Sequence, residues 1–283
     1  MKSICIKTND PNKLNYLLNE LKNCNLKNIC FSENKFKNYN NIIIHYFGNN
    51  IEEFFSKLTD ILCFLIIDIE EENILEQLIL QNYFYFDSKE KEKILSICYD
   101  IIADNFPNDF EKKYNILHKH IYDFVCNNKY IILSGFILFR LKEYYKFLDS
   151  ILNQAVNHFI IEKEYSEFIS LLKIYISSQP STHEVVHLIY SSKKSILLDE
   201  NKNLIVASDE LINAKYLSDI SFSSNDYTLN TLLNIIPKKI FVHLTDCISD
   251  DFINTIQLIF ENRVYICSDC DICNSKYEKT NKN

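Results

Sequence analysis

The densest cluster of metal-ligating side chains in the sequence is Cys267-Ser268-Asp269-Cys270-Asp271-Ile272-Cys273, three thiols each separated by two residues. A single curled loop can bring thiols at this spacing around one Zn²⁺ or an iron–sulfur cluster. No fourth cysteine follows Cys273, so a complete site needs a ligand from elsewhere; otherwise the plain reading is three reduced thiols. A second pattern, His183-Glu184-Val185-Val186-His187, matches the H-E-x-x-H of zinc hydrolases. That chemistry requires a helix, on which the two imidazoles lie one turn apart and can share a metal while the glutamate activates water. On a strand the same four steps span about 13 Å, too far for one ion. Pro180 precedes the pattern, and the run Val-Val-His-Leu-Ile-Tyr that ends it is β-prone, so a strand is expected. The zinc hydrolase using His183, Glu184 and His187 stands as the alternative reading of function.

The remaining candidates carry less. His118 and His120 are two apart on an expected helix and face different ways. Glu162-Lys163-Glu164 with Glu167 reads as a solvated face in which Lys163 and Glu167 pair at i,i+4. No nucleophile elbow is present, and two glycines in the whole chain leave no phosphate-cradling loop. No catalytic residue is therefore assigned.

The elements that would position these groups follow from periodicity. Residues 2–7 alternate as a strand, and Asp10-Pro11 opens a helix to about Leu21. Ile29–Phe31 and Ile42–Phe47 are further strands. From Ile51 the apolar spacing becomes three and four, which predicts helices to about residue 178, with a break at Asn105-Phe106-Pro107. One long helix changes apolar phase after Phe159, which predicts a bend or a break near Asn157. Its stripes make Phe139, Leu148, Leu152, Phe159, Phe168 and Leu172 candidate core residues. Beyond Pro180 a three-stranded antiparallel meander (Glu184–Tyr190, Ile196–Asp199, Leu204–Ala207) is expected, with helices at about 209–217 and 226–236. A β-α-β unit closes the chain: Lys239–Leu244, Asp250–Glu261, Arg263–Cys267. A right-handed crossover makes those strands parallel, so Cys247, leaving the first strand, and Cys267, ending the second, reach one sheet edge. That geometry makes Cys247, Cys267, Cys270 and Cys273 the candidate metal set.

The fold class is thus α+β: a small N-terminal α/β unit (1–50), a helical middle (51–179), a C-terminal α/β domain with a short mixed sheet (180–273) and a polar tail (274–283). Thirty basic residues against 38 acidic give a net charge of −8, with arginine only at positions 140 and 263, which argues against nucleic acid as a partner. The N-terminus lacks a signal-peptide hydrophobic region, and the apolar runs fall short of the roughly 20 residues of a membrane span. A cytoplasmic location with reduced cysteines is expected.

The stretch Phe139-Arg140-Leu141-Lys142-Glu143-Tyr144, then Ala155-Val156-Asn157-His158-Phe159-Ile160-Ile161-Glu162-Lys163-Glu164-Tyr165, and Glu167-Phe168-Ile169-Ser170-Leu171-Leu172-Lys173 resembles the YtxC-like family. Val186-His187-Leu188-Ile189 and Pro237-Lys238-Lys239-Ile240 are also similar to that family, so the similarity covers roughly residues 110–270. The resemblance implies an intracellular protein of endospore-forming Firmicutes, linked to sporulation by name, with no family catalytic residues to carry over. It also implies a Val-His pair at the strand position without a required H-E-x-x-H. The function expected from all this is a sporulation-associated, non-enzymatic protein acting through contact with a protein partner.

Overall fold

The computed structural model describes residues 1–24, 26–191, 194–205, 223–245, 250–267 and 270–274. The fold is α+β, and it divides into two compact units, Met1–Glu162 and Lys163–Asn283.

In the first unit, β1 (Lys2–Thr8) leads into α1 (Pro11–Asn23), whose N-cap Asp10 accepts from the Asn12 amide while Pro11 occupies the first turn. β2 (Ile29–Phe36) and β3 (Tyr39–Tyr46) form a hairpin, and β3 lies antiparallel to β1 with Ile4 opposite Ile44 and Ile6 opposite Ile42. A three-residue β4 (Tyr130–Ile132) adds in parallel beside β1, giving the order β2-β3-β1-β4. The helices are α2 (Ile51–Leu65), a π-helical turn (Ile66–Glu70), α3 (Glu71–Asn82), α4 (Ser88–Asp104), α5 (Asn108–Asn127), α6 (Leu133–Arg140) and the start of α7 (Lys142–Ser178). The break expected at Pro107 separates α4 from α5.

Two buried ion pairs meet at the π-helical turn. Lys13 Nζ lies 2.7 Å from Glu70 Oε1, and Lys113 Nζ lies 2.9 and 3.0 Å from the two oxygens of Glu71. The buried Tyr144 hydroxyl donates to the same Glu71 carboxylate. A charge taken out of water needs such partners, and both carboxylates have them.

α7 is one continuous helix of 37 residues, so the chain does not break near Asn157. It contains neither Gly nor Pro, so nothing interrupts its hydrogen-bond ladder. The phase change marks a change of core instead: Leu148, Leu152, Ala155 and Phe159 bury in the first unit, whereas Ile169 and Ile176 bury in the second, with Leu172 partly covered. Phe168, one position off that second stripe, is 52% exposed, and Phe139 at the end of α6 is 67% exposed. Neither is a core residue.

In the second unit, β5 (Val185–Ser191), β6 (Lys194–Leu198), β7 (Lys239–Leu244) and β8 (Val264–Cys267) form a mixed sheet in the order β6-β5-β7-β8. β6 is antiparallel to β5; β7 and β8 are parallel neighbours. α8 (Ser224–Ile235), held by a Ser223–Asp226 capping box, leads to β7, and α9 (Asp251–Phe260), capped by Asp250, makes the crossover between β7 and β8. One sheet face, carrying Val186, Leu188, Tyr190, Ile240 and Val242, packs on Leu232, Ile236, Ile253, Ile256 and Phe260. On the other face Ile189 and Leu198 bury against Ile272 of a one-turn helix, α10 (Asp271–Asn274).

Of the expected third meander strand, the described residues 204 and 205 pair with the end of β6: Leu204 bridges to Leu198 and the Ile205 amide donates to the Leu197 carbonyl, across a turn in which Asp199 accepts from the amides of Asn201 and Asn203. Residues 206–207 of that strand, the helix expected at 209–217 and the tail beyond residue 274 lie outside the described residues. No helix among the described residues is long and apolar enough to cross a membrane.

Candidate metal centre

The crossover places β7 and β8 side by side with His243 in register with Cys267. In-register neighbours of adjacent strands point to the same sheet face, here the face opposite the main core. Cys270, just ahead of α10, and Cys273 within it lie beside His243 on that face. His243 Nδ1 lies 3.4 Å from Cys270 Sγ and 3.4 Å from Cys273 Sγ, and the two sulfurs stand 3.6 Å apart. One ligand atom from each of His243, Cys267, Cys270 and Cys273 falls within a sphere in which all four lie within 4.8 Å of one another. Tetrahedral zinc, with Zn–S near 2.3 Å and Zn–N near 2.0 Å, separates its ligand atoms by about 3.5–3.8 Å. The separations of 3.4, 3.4 and 3.6 Å among His243, Cys270 and Cys273 match that, and Cys267 completes a Cys₃His group within 4.8 Å.

The surroundings suit a cation. Backbone N–H groups of Cys273 and Ile272 and the neighbouring thiols lower the Cys270 thiol below the usual cysteine range, the Cys273 amide contributing most. Burial, then the neighbouring thiols, push Cys273 up to about 12. Three thiolates held this closely repel one another, and a divalent ion removes that conflict. His243 is only 2% exposed; burial first and the adjacent His187 second lower its pKa, which keeps the imidazole in the neutral form that ligates metals. His243 Nε2 lies 2.9 Å from His187 Nδ1.

Three members of this cluster, Cys267, Cys270 and Cys273, belong to the candidate set read from the sequence. Sequence reasoning missed His243, although the signal was present: both strands of the β-α-β unit were expected, and their parallel pairing sets a histidine one strand over from Cys267. Only thiols leaving the strand end were considered as the fourth ligand. Cys247, the candidate chosen on that basis, lies outside the described residues.

The H-E-x-x-H pattern is not helical. His183 and Glu184 precede β5, Glu184 in a bend, their carbonyls accepting from the amides of Lys238 and Lys239, while Val185–His187 begins the strand. The β-branched Val185-Val186 favours that geometry. Glu184 is ion-paired with Lys238, and His183 Nδ1 is 2.9 Å from Thr182 Oγ1. The one-turn helical spacing that lets the two imidazoles of H-E-x-x-H share a metal is therefore absent, and nothing in the structure supports the zinc hydrolase reading. His118 and His120 are likewise apart in role, beside Asp60 at 3.8 Å and Glu143 at 3.0 Å respectively.

With this geometry in place, comparison with known proteins adds the lineage. The uncharacterized protein YtxC of Bacillus subtilis (strain 168) is 25% identical over 209 residues, covering 70% of this chain and 72% of that protein. No solved structure matches. The family model of the YtxC-like family matches residues 56–265, a stretch that contains His187 and His243 and ends two residues before Cys267. That match spans well over half of the sequence, and the chain belongs to the YtxC-like family.

Proposed function

We propose that the C-terminal unit holds a structural Zn²⁺ on His243 Nδ1 and the thiolates of Cys267, Cys270 and Cys273, and that the chain acts without catalysis, by contact with another protein, in the cytoplasm of a sporulating bacterium. The observation that carries the zinc reading is the closed set of four ligand atoms within 4.8 Å of one another. Four protein ligands leave no open position for water or substrate, which is the pattern of structural rather than catalytic zinc. An iron–sulfur cluster ordinarily takes four thiolates, and here the fourth group is an imidazole. Family membership and a relative in the spore-former Bacillus subtilis support the sporulation role. The net charge of −8 with two arginines favours a protein over a nucleic acid as the partner.

The test is complementation. A strain deleted for this chain should sporulate poorly, recover with the wild-type sequence and fail to recover with Cys270→Ser at equal protein level. Full recovery with Cys270→Ser would separate the metal site from the biological role, and a hydrolytic activity in the purified wild-type protein would overturn the non-enzymatic reading.

A further inference from the structure

His187 belongs to the failed H-E-x-x-H pattern, but β5 gives it a different place. Ile189 is in register with His243, so His187, two residues earlier on the same strand, shares the metal-bearing face. Its Nδ1 is 2.9 Å from His243 Nε2, and its ring stacks on Phe241 at a centroid distance of 5.6 Å. The two imidazoles lie at 5.2 Å with 28° between their planes. A neutral imidazole carries one N–H. If His243 ligates through Nδ1, its proton must sit on Nε2, and the atom facing that proton is His187 Nδ1. His187 must then be neutral as well, with its own proton on Nε2.

We infer that His187 is a positioning residue for the metal centre, accepting a hydrogen bond from His243 Nε2 and so fixing both the tautomer and the ring orientation that aim Nδ1 at the ion. This rests on the zinc reading above. Ligating histidines commonly give their second N–H to such a partner, and loss of the partner weakens metal binding by about 10- to 100-fold. His187→Leu fills the space beside the buried His243 with an apolar side chain that offers Nε2 no acceptor.

The experiment is competition for Zn²⁺ between a chromophoric chelator and the full-length reduced protein, in four forms: wild type, His187→Leu, His187→Gln and, as a control, His183→Leu. His187→Leu should bind zinc about 10- to 100-fold more weakly. His187→Gln, whose side-chain carbonyl can accept the same N–H, should recover most of that loss, and His183→Leu should match wild type. A His187→Leu affinity within about twofold of wild type, or a Gln variant as weak as the Leu variant, would overturn the assignment. Should the Leu variant not fold, nitrogen-15 NMR of the zinc-loaded wild type decides: His243 must carry its proton on Nε2 and His187 must lack one on Nδ1, and any other tautomer overturns the inference. A wild-type protein that binds no zinc would instead overturn the metal site itself, so the two failures are distinguishable.

Discussion

Stripping the zinc should unfold the 270–274 segment while leaving the sheet beneath it intact. α10 has four residues, far below the length of roughly 12 at which an isolated helix becomes marginal. Among its described side chains Ile272 is in the core, 6% exposed against Ile189 and Leu198. Burying one such side chain contributes about 1.5–3 kcal/mol. Ordering the backbone of five residues costs about 5–10 kcal/mol, at about 1–2 kcal/mol each. Apolar packing alone therefore falls short by several kcal/mol, and a structural zinc site, at about 10–16 kcal/mol of apparent binding free energy, exceeds the shortfall. Hydrogen exchange read by mass spectrometry, with and without a zinc-selective chelator under reducing conditions, measures this directly. Amides of residues 271–273 should exchange at near-unfolded rates in the stripped protein, while those of Leu188 and Val242 in the central strands stay protected. Unchanged protection of α10 in protein verified to be metal-free would refute the reasoning, because some other interaction would then be holding the segment.

Other expectations concern the first unit and the long helix. Lys113→Met leaves the buried Glu71 carboxylate with Tyr144 as its remaining partner and should cost about 3–5 kcal/mol in urea unfolding, with much of the loss recovered in Lys113→Met/Glu71→Leu; a single-variant cost under about 1 kcal/mol would mean that the pair is solvated. Stability should fall at alkaline pH: burial raises Cys63, pushes Cys98 up to about 12 and, together with Glu71, holds Tyr144 well above the ordinary tyrosine range. Their folded values lie above the unfolded ones, so the contribution is complete below about pH 9 and is lost as pH rises beyond it; a urea midpoint that stays flat to pH 11 would contradict this. Leu152→Ala should cost about 2–5 kcal/mol, whereas Phe168→Ala should stay within about 0.5 kcal/mol; comparable losses in thermal unfolding would place Phe168 in a core.

Local signals carried most of the fold. Asp10-Pro11 opens α1, Pro107 divides α4 from α5, and the β-α-β ending reads directly from Lys239 to Cys267. What eluded sequence reasoning depended on tertiary context. β4 is three residues long and exists because β1 offers it an edge. The phase change in α7 looked like a break because periodicity reports which side is buried, not against which core. Phe168 illustrates the same limit: its spacing to Leu172 suits a stripe, yet the buried stripe runs through Ile169 and Ile176, one residue along. At the candidate metal centre the thiol spacing was legible because all three cysteines lie within seven residues. His243 comes from 24 residues upstream of Cys267 and joins them only through strand register. The H-E-x-x-H pattern was discounted for a sound reason, the strand preference of its valines, but the partnership of His187 with His243 required the sheet order β5-β7-β8.

The zinc centre itself is tested most directly by metal analysis of the full-length protein purified anaerobically without added metal, alongside His243→Ala. The account predicts about one zinc per wild-type chain, no iron, and three thiols shielded from a thiol reagent until a chelator is added. His243→Ala should retain much less zinc. A wild-type protein free of zinc, with Cys267, Cys270 and Cys273 all reacting at once, would contradict it.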